Sequence, residues 1–253
     1  MTGRFEDRLV LVTGAGAGLG RALALGFARE GAGLVLLDVD DAGLAQTASE
    51  LAAIGATASI HSVDLGDEAA ILGFAGEFSA RHARLDVLIN NAGLAYGEVS
   101  ASFLGLSQAK WLRYLAVNTV APLLLAEALR PALADAQGVI LNQSSMASFM
   151  PGTAYGVTKA ALNAMTYGMA QAFGADNIRV NAIAPGLMET PANAVALSAE
   201  THERVRETQI LRSPGAPEDI VALSLFLSSD EARFITCEVV SCDAGSRLRG
   251  WRY

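Results

Sequence analysis

Cysteine and histidine are scarce in this chain: two cysteines and three histidines in 253 residues. Cys237 and Cys242 sit five positions apart in a strand-like run, so they face opposite sides and lie about 16 Å apart if extended, too far for a disulfide. The expected setting is reduced and cytoplasmic. His61, His82 and His202 are too scattered to suggest a metal site, and no metal is expected. Long apolar runs are missing as well. The amino-terminal "MTGRFEDRLVLVTGAGAG" breaks at glycines, too soon for a signal-peptide core or a membrane span. Nothing later reaches spanning length without a charge or a proline, so no membrane partner is expected. Positive charge is the minority, with 18 Lys and Arg against 26 Asp and Glu and a formal net charge of -8. Attraction to a phosphate backbone would work against such a chain, which argues against nucleic acid. No G-x-S-x-G elbow occurs and no histidine lies near the serines, which excludes a serine hydrolase.

What is present is apolar: 52% hydrophobic residues with 17% charged ones can fill the core of one large α/β domain. Short β-branched or leucine-rich runs recur: "LVLVT" (9–13), "LVLLD" (34–38), "ASIHSVD" (58–64) and "DVLINN" (86–91). "GVILNQS" from Gly138, "IRVNAIA" from Ile178 and "CEVVSC" from Cys237 follow. Between them apolar residues recur at helical spacing, as at Leu19, Leu23 and Phe27. Continuous apolar strands joined by helical crossovers predict an open parallel sheet buried on both faces, doubly wound by right-handed connections. No linker or repeat interrupts the pattern, so residues 1–253 read as a single domain. Ligands of such sheets sit outside the carboxyl ends of the strands.

The first strand end carries "TGAGAGLG", Thr13 to Gly20. Gly14, Gly16, Ala17, Gly18, Leu19 and Gly20 follow a strand and open a helix. There, glycines admit a pyrophosphate and helix amides meet its charge. Asp38 ends the second strand. A carboxylate there can accept both ribose hydroxyls of NAD, whereas the 2′-phosphate of NADP would meet like charge. No basic residue stands at Ala17 or Val39 to offset it, so NAD is the expected cofactor. The plainer alternative has Asp38 capping the following turn.

"NNAG" at 90–93, Asn118, Ser145, "YGVTK" at 155–159 and "PGLMET" at 185–190 then follow the glycine loop in order. With these motifs the chain resembles, over nearly its whole length, the short-chain dehydrogenase/reductase family. The resemblance implies a Rossmann-type sheet of seven parallel strands, hydride transfer on alcohols or carbonyls, and a homotetramer. It gives Tyr155 the proton exchange with the substrate oxygen, Lys159 a bond to the nicotinamide ribose, a serine the hold on that oxygen, and Asn118 a water linking Lys159 to solvent.

Tyr155 and Lys159 are four apart, so on one helix they share a face. An acid-base catalyst at neutral pH wants the phenol lowered by about 3 pKa units, and one ammonium about 4 Å away would supply roughly that. The expectation is that the lysine alone nearly suffices, with the oxidised nicotinamide pushing the same way. Ser144 and Ser145 end strand five and point opposite ways, so only one faces the substrate. Alignment from the strand end picks Ser145. The step from Ser145 to Tyr155 is three residues shorter than the family's usual thirteen, so the loop "MASFMPGTA" is shortened and Ser144 stays open.

The remaining contacts follow the resemblance. Asp64 and Leu65 frame the adenine. Asn91, Ala92 and Gly93 line the adenosine ribose side, and Asn90 equally serves to tie strands together. Pro185 and Gly186 shape the turn beneath the nicotinamide, and Met188 and Thr190 meet its carboxamide. Leu94, Tyr96, the loop Met146 to Ala154 and a lid over roughly 187–212 wall the substrate pocket, with Phe149, Met150, Val195 and Leu197 among its apolar residues. No lysine or arginine occurs from Ala182 to Glu203. An anionic substrate therefore lacks a clamp, and a neutral, fairly hydrophobic secondary alcohol or ketone is expected. Reduction of a 3-oxoacyl thioester and a non-catalytic dinucleotide sensor are the competing functions. The ending "GSRLRGWRY" reads either as a solvated tail or as one packing on a second subunit.

Overall fold

The computed structural model describes residues 3–190 and 199–246. Seven strands are formed: β1 (Leu9–Thr13), β2 (Gly33–Asp38), β3 (Ala58–Ser62), β4 (Val87–Asn90), β5 (Val139–Gln143), β6 (Arg179–Pro185) and β7 (Val239–Cys242). They make one sheet in the order β3-β2-β1-β4-β5-β6-β7, every pairing parallel. The chain winds outward from β1 to β3, returns to β4, and winds the other way to β7. The crevice at this reversal, between β1 and β4, is where such sheets hold ligands.

Alternation along each strand divides the core. Leu11, Val35, Leu37, Leu88 and Ile140 share one cluster with Phe74, Phe78 and Leu125. Val10, Val12, Leu34, Leu36, Val87 and Ile89 share another with Leu23 and Phe27. Both faces are dry, which is why the strands read as unbroken apolar runs. The helices among the described residues are α1 (Gly18–Arg29), α2 (Asp41–Ala53), α3 (Glu68–Arg81), α4 (Glu98–Ala101), α5 (Gln108–Leu115), α6 (Ala121–Ala128) and α7 (Arg130–Ala136). Then come α8 (Ala154–Phe173), α9 (Ala199–Thr208) and α10 (Pro217–Ser228). Side-chain caps start three of them: Asp67 for α3, Ser107 for α5 and Thr153 for α8.

Two expectations change. "CEVVSC" is not one strand: Cys237 precedes β7 in a left-handed conformation, φ 66°, with its amide on the Val180 carbonyl. Both cysteines are free thiols. The third run ends its ladder at Ser62, and Val63 continues only through its amide to the Asp38 carbonyl. Among the described residues no single helix is long and apolar enough to cross a membrane, and no group of three or more His, Cys, Asp or Glu could hold a metal ion. The lid residues 191–198, including Val195 and Leu197, and the tail from Arg247 lie outside the described residues.

Candidate active site

A cavity of about 960 Å³ runs along the carboxyl ends of the strands. Of the sequence-selected residues, Gly14, Ala17, Gly18, Leu19, Gly20, Asp38, Asp64, Leu65, Asn91, Ala92 and Gly93 line it. Ser145, Tyr155, Lys159, Pro185, Gly186, Met188 and Thr190 line it as well. Gly16 and Asn118 do not.

The glycine loop is shaped by close approach. A Cβ on Gly20 would lie 1.9 Å from the Gly14 carbonyl oxygen, so any side chain there would push α1 off the loop. Gly18, with φ 52°, faces open space among the described residues, on the cavity side. No side-chain hydrogen bond caps α1, in contrast to α3, α5 and α8. Its first amides are therefore left for an anion. Gly16 instead braces the loop from behind: its amide donates to Asp38 Oδ2 at 2.8 Å.

Asp38 fills both roles open to it. Oδ1 accepts from the amides of Val39 (2.7 Å) and Asp40 (3.1 Å), capping the turn, while the carboxylate still lines the cavity. Three of the carboxylate's roughly four lone-pair sites are thus taken, which leaves one on Oδ2 for a ribose hydroxyl. One basic side chain, Arg21, braces the same loop without hydrogen-bonding to Asp38. Arg21 reaches back along α1 so that its Nη2 donates to the Gly16 carbonyl, while Nε meets Thr47 Oγ1 at 3.0 Å and Nη1 meets Glu50 Oε1 at 3.1 Å. The Gly16 peptide is thus held at its N–H by an anion and at its carbonyl by a cation. Glu50 balances the Arg21 charge, and Arg21 is absent from the cavity wall.

Asp64 is also more engaged than its sequence position suggests. Arg113 Nη2 lies 2.9 and 3.0 Å from its two oxygens, and the Gly66 amide donates at 2.8 Å. The Arg113 bond first, then the Gly66 amide, hold its carboxyl below the ordinary value. Arg113 lines the cavity and was not selected from the sequence. Asn90 is buried and donates to Asn142 Oδ1 at 2.9 Å, tying β4 to β5. Asn91 does the same between β4 and β1, its Nδ2 on the Thr13 carbonyl at 2.9 Å, while also facing the cavity.

Ser144 and Ser145 diverge as alternation requires. Ser144 is buried; it also lines the cavity, but its Oγ is engaged, donating to Asn163 Oδ1 at 2.5 Å. Ser145 caps the short turn Met146–Phe149 through the Ala147 amide at 3.1 Å and is close enough to Tyr155 to lower its pKa. Tyr155 is half-buried and Lys159 fully buried on one face of α8. Lys159 Nζ donates to the Gln143 carbonyl at 2.6 Å and lies 5.8 Å from the Tyr155 ring centre.

This geometry runs against the expectation that the lysine alone nearly suffices to make the phenol acidic. Burial pushes the Tyr155 hydroxyl up to about 12, Ser145 pulls it down, and Tyr96 adds to the rise. Burial also pushes Lys159 down to about 8. Desolvation penalises the charged form of each group and is the largest cause of both shifts.

Asn118 sits in a π-helical turn, Ala116–Val120, between α5 and α6. Its Oδ1 accepts from the Leu94 amide at 2.7 Å, and its Nδ2 donates to the Leu94 carbonyl and to Thr158 Oγ1, both at 3.0 Å. The side chain is a brace joining the β4 loop to α8. Single π turns of this kind are frequent at functional sites.

The substrate wall differs from expectation too. Leu94, Tyr96, Met146 and Leu187 line the cavity, but Phe149 and Met150 are exposed and absent from its lining. The shortened loop closes as a tight turn, locked where Ser148 Oγ donates to the Ser145 carbonyl at 2.7 Å, and this carries them out of the wall. Val205 of α9, within the expected lid segment, also lines the cavity. Lys159 and Arg113 are the cations of the described wall, one buried at the tyrosine and the other paired with Asp64.

Residues 14–247 match the family model described as enoyl-(acyl carrier protein) reductase. A probable short-chain type dehydrogenase/reductase of Bradyrhizobium diazoefficiens is 36% identical over 248 residues, covering 96% of this chain and 88% of the relative. The 3-oxoacyl-[acyl-carrier-protein] reductase of Thermotoga maritima is 31% identical over 250 residues, covering 96% and 98%. A solved 7α-hydroxysteroid dehydrogenase, complexed with NADH and 7-oxo glycochenodeoxycholic acid, superposes with a TM-score of 0.88 at 29% identity, over 96% of this chain and 95% of that one.

Proposed function

The chain belongs to the short-chain dehydrogenase/reductase family, and from that premise we propose that it is an NAD(H)-dependent enzyme interconverting a neutral, fairly hydrophobic secondary alcohol and its ketone. The observation that carries this reading is the Ser145–Tyr155–Lys159 cluster, standing in the same cavity as the open glycine loop and Asp38. The residues suit a nicotinamide dinucleotide: the uncapped start of α1 for its pyrophosphate, Asp38 for the adenosine ribose, Asp64 and Leu65 for the adenine, Met188 and Thr190 for the carboxamide. When bound, the dinucleotide accepts or gives the hydride and, oxidised, brings a positive charge.

Tyr155 exchanges the proton with the substrate oxygen, and Ser145, close enough to lower the phenol's pKa, holds that oxygen. Lys159, held at about 8, remains largely an ammonium near neutral pH and keeps a cation beneath the phenol. Asn118 positions Leu94 and Thr158 around both.

Asp38 supports NAD over NADP, because it stands where the 2′-phosphate of NADP would carry like charge, and Arg21 is held away by Glu50. Leu94, Met146, Leu187 and Val205 support an apolar substrate, in keeping with the steroid named in the solved relative's complex. Reduction of a 3-oxoacyl thioester is the second reading, favoured by the Thermotoga maritima relative. The net charge of -8 weighs against docking an acidic carrier. A homotetramer in the cytoplasm completes the proposal, supported by exposed Leu112, Val120 and Tyr167 on the α5–α8 side and by free thiols at Cys237 and Cys242.

Purified protein with NAD and a panel of hydrophobic secondary alcohols should form NADH in steady state. NAD binding without turnover would favour the sensor, and reaction confined to sugars or polyols would sink the apolar pocket.

A further inference from the structure

β5 ends at Gln143, a polar residue only 7% exposed whose amide nitrogen has no hydrogen-bond partner. A buried donor left unmade is costly, and an isosteric apolar residue would avoid that cost. Alternation puts the side chain on the same side of β5 as Val139 and Leu141, which pack in one cluster with Ile183, Met188 and Leu19. Asn142 points the other way, to Thr166. Extended backbone at Ser145 (φ -164°, ψ 153°) keeps this alternation, so Gln143 and Ser145 face the same way, one residue pair apart. Gln143 lines the cavity, and its own carbonyl receives the Lys159 ammonium at 2.6 Å.

Its place along the crevice identifies the ligand atom. β5 is three strands from β2, whose Asp38 receives the adenosine ribose in the coenzyme reading, and at about 4.8 Å per strand that is roughly 14 Å away. Gln143 therefore belongs to the nicotinamide half, beside Met188. We propose that the Gln143 side-chain amide donates to the carboxamide oxygen of bound nicotinamide and fixes the ring in front of Tyr155. The proposal rests on the coenzyme reading given above.

The test compares NADH, titrated by its fluorescence, with ADP-ribose, titrated by calorimetry, which keeps everything but the nicotinamide. Gln143→Met and Gln143→Leu should each weaken NADH about tenfold, the worth of one well-made hydrogen bond. ADP-ribose should bind as to wild type, and the ligand-free Tm should stay level or rise because the orphan donor is gone. Unchanged NADH affinity in a folded variant overturns the assignment. So does an equal loss of ADP-ribose affinity, which would show damage to the whole crevice. If wild type binds neither ligand, the coenzyme reading itself fails and takes this one with it.

Discussion

Burial, rather than pairing, sets the protonation of the two central residues. The Lys159 ammonium is desolvated, so its pKa in the folded chain is about 8, against 10.5 ordinarily. Between those values the unfolded chain binds the extra proton, so unfolding free energy should rise as pH climbs from about 8 towards about 10.5. Tyr155, raised from 10.0 to about 12, works in reverse and lowers stability above about pH 10. Denaturant titrations across this range should show the rise in ligand-free wild type and its loss in Lys159→Met; an identical pH profile in both would contradict the burial argument. The serines separate by function. Ser145→Ala should lower kcat by about 100- to 1,000-fold, the typical effect of removing one donor to a developing oxyanion. Ser144→Ala strands Asn163 and should instead cost about 1–3 kcal/mol of stability with turnover nearly intact. The reverse pattern would exchange their roles. Spacing made Tyr155 and Lys159 legible as a pair on one helix face, but i, i+4 periodicity carries no information on depth, and depth decides the sign of both shifts.

At the scale of elements, the glycine loop is held by contacts from distant parts of the chain. Gly16 is gripped by Asp38 at the end of β2 and by Arg21 one turn into α1, and Arg21 is anchored to Thr47 and Glu50 on α2. Arg21→Ala should release the loop and weaken NADH binding without moving kcat, since Arg21 touches neither hydride nor proton. Fluorescence titration beside steady-state kinetics checks this; unchanged NADH affinity would show that the loop holds itself. The glycines and Asp38 were readable because a strand, a tight turn and a helix follow each other locally. Arg21 and Arg113 were not, because their partners lie 26 to 49 residues away and only the packed helices bring them together. Phe149 and Met150 misled for a related reason: apolar character suggested a pocket wall, while the short turn after Ser145 turns them outward.

At the scale of the whole molecule, the five central strands were legible because parallel strands buried on both faces leave unbroken apolar runs, whereas the edge strands β3 and β7 are only partly buried and their limits were less well marked. The direction of winding follows from right-handed crossovers, and it places every strand end that carries chemistry along one crevice. Leu112, Val120 and Tyr167 leave an apolar surface that a lone protomer would expose to water. For the proposed homotetramer, light scattering on the purified protein should report four chains of 26.3 kDa, and a monomer mass would contradict it.

The central claim is that this fold by itself holds the Tyr155 phenol protonated, and that only the added positive charge of oxidised coenzyme beside Lys159 makes it acidic enough to exchange protons. Ultraviolet titration of wild type minus Tyr155→Phe, without and with saturating NAD, measures it directly. The account predicts ionisation at about 12 without coenzyme and below the ordinary 10.0 with it. The same midpoint in both conditions would contradict it.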